Sequence, residues 1–256
     1  MLERLDMTGP LIVREGHEGE RLYDWKGNAY PSVTSVIKYG VAKPNLVPWA
    51  ADKVTDIAVA HRLELAGLTE RKARKFITGK WDGDRLEAAG KGTAIHEQAE
   101  NYALGRTVDV TPEIEGYVSA FDNFCYDFGP KFLLTEALVV SHTYGYAGTL
   151  DAVVEIDGRI YVLDIKTGNY VWPEVALQLT AYSRADFVGD RKTGKESPLP
   201  ALYKRGLVLH LQNGAYTVRP VRLDDAVFDA FLASLDMYHW ATETSKSALL
   251  PAWVKE

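Results

Sequence analysis

The chain has 256 residues, 46% of them hydrophobic and 25% charged, and a formal net charge of −6. This is the make-up of a globular protein with one large domain, or one domain carrying an insertion. No apolar run approaches the ~20 residues that cross a bilayer, the start Met1-Leu2-Glu3-Arg4 is unlike a secretory signal, and the single Cys125 excludes a disulfide framework, a four-cysteine zinc site and a self-contained iron–sulfur cluster.

A cytoplasmic protein without a membrane partner is therefore expected. The first thirty residues read as short strands, Leu11 to Arg14, Arg21 to Trp25 and Asn28 to Tyr30. They are separated by the polar run Glu15-Gly16-His17-Glu18-Gly19 and by the tight turn Lys26-Gly27. Pro31 to Ile37 opens a short helix with Ser32 as its N-cap. Ser32 and Thr34 are also hydroxyls at a helix start, a place that suits a phosphate. A helix from Leu46 to His61 carries Trp49, with Pro48 tolerated near its first turn.

A shorter helix from Thr69 to Thr78 bears Arg71, Lys72, Arg74 and Lys75, and is expected to break at Gly79-Lys80-Trp81-Asp82-Gly83. The net negative charge does not advertise nucleic-acid binding. This basic run is either a solvated face or, with Trp49 and Trp81, a module that offers cations and aromatics to a strand. Asp84 to Leu104 reads as a long helix on which Gly92, His96 and Glu100 share one face. Glycine in mid-helix costs about 1 kcal/mol relative to alanine, so close approach of another backbone is expected at Gly92. Pro112 to Phe128 shows an apolar stripe of a core helix.

The pattern then changes to strands: Phe132 to His142, Tyr146 to Ile156 and Arg159 to Thr167, the last two joined by an Asp157-Gly158 hairpin turn. A helix from Pro173 to Phe187 places Gln178 and Tyr182 four apart. A polar loop with Arg191, Lys192 and Lys195 follows, then a hairpin of Gly206 to Leu211 and Ala215 to Val218, a helix from Leu223 to Thr242 and a loose tail. The expected fold is α/β, a mixed central sheet flanked by helices. Residues 1–83 are read as a β element with a helical, partly basic module, 84–243 as the core and 244–256 as the tail.

Chemistry concentrates on the hairpin. Asp164 and Lys166, two apart on a strand, project to one face, and a neighbouring strand brings Asp151 beside Asp164. With the carbonyl of Ile165 they offer hard oxygen ligands and an ammonium to a divalent cation, Mg²⁺ or Mn²⁺. His96 adds an imidazole more natural to Mn²⁺, and Glu136 on the preceding strand can hold a second ion directly or through water. Lys166 can orient or deprotonate a water or balance charge on a phosphoryl transition state. Each signal is common by chance. Their order is the informative part: Gly-Thr-x-x-His-x-x-x-Glu on a helix, Gly-x-x-Asp, Asp-x-Lys on the next strand, then Gln-x-x-x-Tyr on the next helix.

That order, in Gly92-Thr93-Ala94-Ile95-His96 through Glu100, Gly148 through Asp151, Asp164-Ile165-Lys166 and Gln178 through Tyr182, resembles the PD-(D/E)XK nuclease superfamily, in its RecB-like exonuclease branch. Ser32-Val33-Thr34 and the helix of Trp49 look like the N-terminal part of the sub-branch that includes phage exonucleases and the mitochondrial genome maintenance exonuclease. The resemblance implies a restriction-endonuclease-like core and a metal-dependent DNA exonuclease acting on single strands or DNA ends, in replication, recombination or repair, with a helicase or recombination protein as a candidate partner. It implies metal ligation by His96, Asp151, Asp164 and the carbonyl of Ile165, catalysis by Lys166 together with the two aspartates, and site support and DNA contact by Gln178 and Tyr182. Unlike many members of the branch, this chain lacks the cysteines for an iron–sulfur cluster. The rivals are a non-catalytic nucleic-acid-end binder of the same fold, an endonuclease of the same superfamily, and a hydrolase of small phosphoesters.

Overall fold

The computed structural model describes residues 10–15 and 20–250. Strands β1 (Leu11–Glu15), β2 (Arg21–Trp25) and β3 (Asn28–Pro31) form an antiparallel three-stranded sheet. Lys26 and Gly27 both have positive φ (52° and 85°), as a two-residue hairpin turn needs to match strand twist. The stretch 16–19 and the end of the expected tail, 251–256, lie outside the described residues. Helix α1 (Val33–Gly40) follows, and the Ser32 side chain accepts from the Ser35 amide as its N-cap.

Helix α2 (Leu46–Ala60) and the single turn or so of α3 (Arg62–Ala66) lead to α4 (Glu70–Ala103). The break expected at residues 79–83 does not occur: α4 is one helix of 34 residues and passes through both glycines, so the boundary drawn at residue 83 falls inside it. Two glycines cost about 2 kcal/mol of helix propensity. Side-chain contacts with the preceding helices offset this, because Trp81 packs edge-on against Trp49 (5.3 Å between ring centres) and Phe76 against His61 (5.1 Å). Helix α5 (Glu115–Phe128) begins three residues later than the periodicity predicts, after a turn in which the Ile114 and Glu115 amides bond the Thr111 carbonyl.

Strands β4 (Lys131–Ser141), β5 (Tyr146–Ile156) and β6 (Arg159–Lys166) make up the middle of a seven-stranded sheet. Asp157 and Gly158 take the positive φ values of the expected hairpin turn. Helix α6 (Val175–Ser183) is shorter than predicted. Its expected end is taken by β7 (Phe187–Gly189), because the Asp186 amide bonds the Val140 carbonyl and Phe187 pairs with Val140 at the edge of β4. β8 (Glu196–Ser197), β9 (Arg205–Gln212) and β10 (Ala215–Arg222) complete the strand order β10-β9-β6-β5-β4-β7-β8. Only β6 and β9 run parallel among these neighbours, so the sheet is mixed. Helix α7 (Asp225–His239), capped by Asp224, continues through a π-helical segment (Trp240–Thr244) into α8 (Ser245–Ala248), where a loose tail was expected.

Alternation along the strands sends apolar side chains to both faces of the sheet. On one face, Val139, Leu150, Val162 and Val208 meet Val36 of α1, Leu179 of α6 and Phe231 of α7. On the other, Val154, Leu163, Ile165 and Leu209 meet Ile95 of α4 and Phe121 and Phe124 of α5. Full burial of each such side chain contributes about 1.5–3 kcal/mol. These contacts fix α4 on one side of β5 and β6 and α6 on the other. Among the described residues, no helix is long and apolar enough to cross a membrane.

Candidate metal centre

Register places three carboxylates side by side. In the β4–β5 ladder, Thr135 pairs with Ala152 and Ala137 with Leu150, so Glu136 stands opposite Asp151. The β5–β6 ladder ends at Ala152 and Leu163, one rung short of Asp151 and Asp164. The strands part at that point, and the Ile165 amide donates to Asp151 Oδ2 at 2.7 Å instead of continuing the ladder. Glu136 itself has φ +43°, a left-handed conformation in mid-strand for a residue that is not glycine. Such strain costs of the order of 1–3 kcal/mol and gathers at functional sites.

His96 reaches this line from α4. Its Nδ1 lies 3.6 Å from Asp151 Oδ2 and 3.9 Å from Glu136 Oε1. One ligand atom from each of His96, Glu136 and Asp151 lies within 4.8 Å of the others. Asp164 stands outside that trio. It is buried (1% exposed), receives Lys166 Nζ at 2.8 Å and Gln178 Nε2 at 2.9 Å on Oδ1, and holds Oδ2 2.7 Å from the same ammonium. The short Oδ2 contact lacks hydrogen-bond geometry, which leaves Oδ2 a buried acceptor without a donor. Its charge is met by the Lys166 ammonium 2.7 Å away.

The electrostatics are those of crowded carboxylates. Burial, and then the charge of Asp164, raise the Asp151 pKa to about 7, against the opposing pull of His96 and Lys166. Burial likewise raises Asp164, against Lys166. Burial works to lower the His96 pKa, but Glu136 and Asp151 outweigh it and the imidazole is raised above its ordinary value.

Tyr182 is buried, its hydroxyl 3.3 Å from Gln178 Nε2. Its ring explains the glycine of Gly-x-x-Asp, since a Cβ on Gly148 would lie 2.6 Å from Tyr182 Cε1. Gly92 is different: a Cβ there would meet only Thr167 Oγ1 at 3.4 Å, so the neighbour is a side chain and not the backbone expected.

A groove of about 850 Å³ crosses the centre, lined by His96, Glu136, Asp151, Gln178 and Tyr182, with Ser32, Thr34, Arg21 and Arg191 on its walls. Ser32 is buried, and its hydroxyl is engaged by Ser35 and Thr34, so it serves as the cap; Thr34 is exposed. Trp49, Arg71, Lys72, Arg74 and Lys75 are not brought to the groove. The basic residues sit on the first turns of α4, about 35 Å from His96 at 1.5 Å rise per residue. Arg191, which sequence reasoning placed only in a polar loop, is at the site. Its Nη2 donates to the Glu136 carbonyl at 3.0 Å and to Thr149 Oγ1 at 2.8 Å. The only local hint was its membership of a basic cluster.

No protein-family model and no curated protein matches the chain. Among solved structures, the chain is similar to one titled "Crystal structure of SSO0001", with 14% identity over 79% of this chain and 86% of that one and a TM-score of 0.34, a likeness too slight to bear on function.

Proposed function

We propose that the protein is a Mg²⁺- or Mn²⁺-dependent DNA exonuclease of the PD-(D/E)XK type, acting on single strands or DNA ends. The observation that carries this is the line of Glu136, Asp151 and Asp164 on adjacent strands, with His96 beside it and Lys166 against it. Carboxylate oxygens with one imidazole suit Mn²⁺ and, in their oxygen part, Mg²⁺. His96, Glu136 and Asp151 would hold an ion, with Asp164 Oδ2 as the further donor. A bound divalent ion supplies charge to a phosphate oxygen and a more acidic water.

The remaining roles belong to the chain. The Ile165 amide orients Asp151, and Gln178 orients Asp164. Lys166, about one-third exposed and ion-paired with Asp164, would orient or take a proton from the attacking water and balance charge on the pentavalent phosphorus. An open groove suits a polymer better than a small phosphoester, which a closed pocket would enclose.

The test is cleavage of end-labelled single-stranded DNA with Mg²⁺ or Mn²⁺, and with EDTA as control. Lys166→Ala is expected to lower the rate about 10²–10⁴-fold, and Asp164→Ala to abolish cleavage, both with native circular dichroism. Near-normal cleavage by either variant overturns the mechanism. A circular single strand is expected to survive; its cleavage would make the enzyme an endonuclease.

A further inference from the structure

Lys166 and Gln178 line a second cavity of about 230 Å³. Thr34 and Gln178 line both cavities, so the two are contiguous. Its floor is the segment between β6 and α6. Tyr170 and Trp172 are 73% and 56% exposed there, while Val171 between them packs into the core. The alternation is that of an extended segment with one residue turned in and two rings turned out.

The rings are not the loose ends of a floppy loop. Before them, His210 Nε2 and the Gly168 carbonyl are 2.6 Å apart; after them, the Val175 amide bonds the Trp172 carbonyl and Lys43 pairs with Glu174 at 3.1 Å. The two ring centres are 6.0 Å apart. Lys38, Lys43 and Lys166 line the cavity, Lys43 paired with Glu174 and Lys166 with Asp164. Two anchored, outward aromatic rings in a lysine-lined cavity next to the proposed phosphodiester-cleaving site fit one occupant best, the unpaired bases of the strand being cut. Aromatic faces stack on any base, whereas a duplex keeps its bases stacked on one another.

We infer that Tyr170 and Trp172 form a nucleobase-stacking subsite for the single-stranded segment adjoining the scissile phosphate. The inference rests on the proposed nuclease function and adds to it the reason for a single-strand preference.

The test measures binding of the full-length protein, in Ca²⁺ or EDTA, to three fluorescein-labelled probes: a single-stranded DNA oligonucleotide, an abasic strand of equal length and a blunt duplex. Trp172→Ala and Tyr170→Ala are each expected to weaken binding of the base-bearing strand about tenfold. Binding of the abasic strand should be unchanged, and Trp172→Phe should restore most of the loss. Wild-type affinity in both alanine variants, or equal loss for the abasic strand, overturns the subsite. So does self-association of the wild type, by sedimentation, that the variants lose, since the rings would then cover a second copy. The two failures are distinguishable. Stacking without any metal-dependent cleavage sinks the nuclease function alone, and cleavage with normal binding by the alanine variants sinks the subsite alone.

Discussion

At the scale of single residues, the centre is a set of groups held against their own preferences. Asp151 carries a pKa raised to about 7 by burial and by Asp164. The sign of the consequence follows from linkage. Below the ordinary carboxylate range, Asp151 is protonated in both the folded and the unfolded chain and has no effect. As pH rises toward about 7, the unfolded chain loses this proton first, and stability falls; above 7 the full cost is present. Asp151→Asn removes the ionisable group. In EDTA the variant should melt a few degrees higher than wild type above pH 7 and level with it near pH 3, by calorimetry. With Mn²⁺ the order should reverse, because wild type gains binding energy that the variant cannot. A wild type that melts above the variant in EDTA at pH 8 would count against a strained, metal-seeking centre.

At the scale of elements, strand register and helix spacing do the positioning. β4, β5 and β6 present their acids on one line because the ladder between β5 and β6 stops one rung early and the Ile165 amide turns to Asp151. α6 contributes Gln178 and Tyr182 from one face, four residues apart. Its approach to β5 depends on Gly148, whose missing side chain admits the Tyr182 ring. Gly148→Ala should therefore displace that ring and cost about 1–3 kcal/mol in urea unfolding. Adding Tyr182→Ala to it should make the second change cheaper than Tyr182→Ala alone, a coupling that a double-mutant cycle measures. Additive effects would show that the ring and the glycine do not meet.

At the scale of the whole molecule, the centre is closed by a residue from the loop between β7 and β8, the last two strands at one edge of the sheet. Arg191 lies between β7 and β8, 55 positions from Glu136, yet bonds its carbonyl and Thr149 together. It bonds the carbonyl of the left-handed residue Glu136, whose Oε1 lies 3.9 Å from His96 Nδ1. Arg191→Met should leave the fold intact and weaken Mn²⁺ binding about 10–100-fold by titration calorimetry, the usual range for a group that orients a ligand. Unchanged affinity would leave Glu136 held by its strand alone.

Much of this arrangement is legible in the chain before folding. Alternation, the two turns with positive φ and the Ser32 cap depend on neighbours one to four residues apart, and the structure contains them. The types and order of His96, Asp151, Asp164, Lys166, Gln178 and Tyr182 are written locally too, and the fold brings those six side chains to one place. Tertiary structure alone decided the rest. α4 runs unbroken through Gly79 and Gly83 because Trp81 and Phe76 find partners on or beside α2. Phe187 leaves its helix because β4 has an open edge. Glu136 is turned, Arg191 is recruited, and Tyr170 and Trp172 face outward beside Lys166. Each of these depends on pairing between residues far apart in sequence, and pairing energy of that kind overrides local propensities of about 1 kcal/mol per residue.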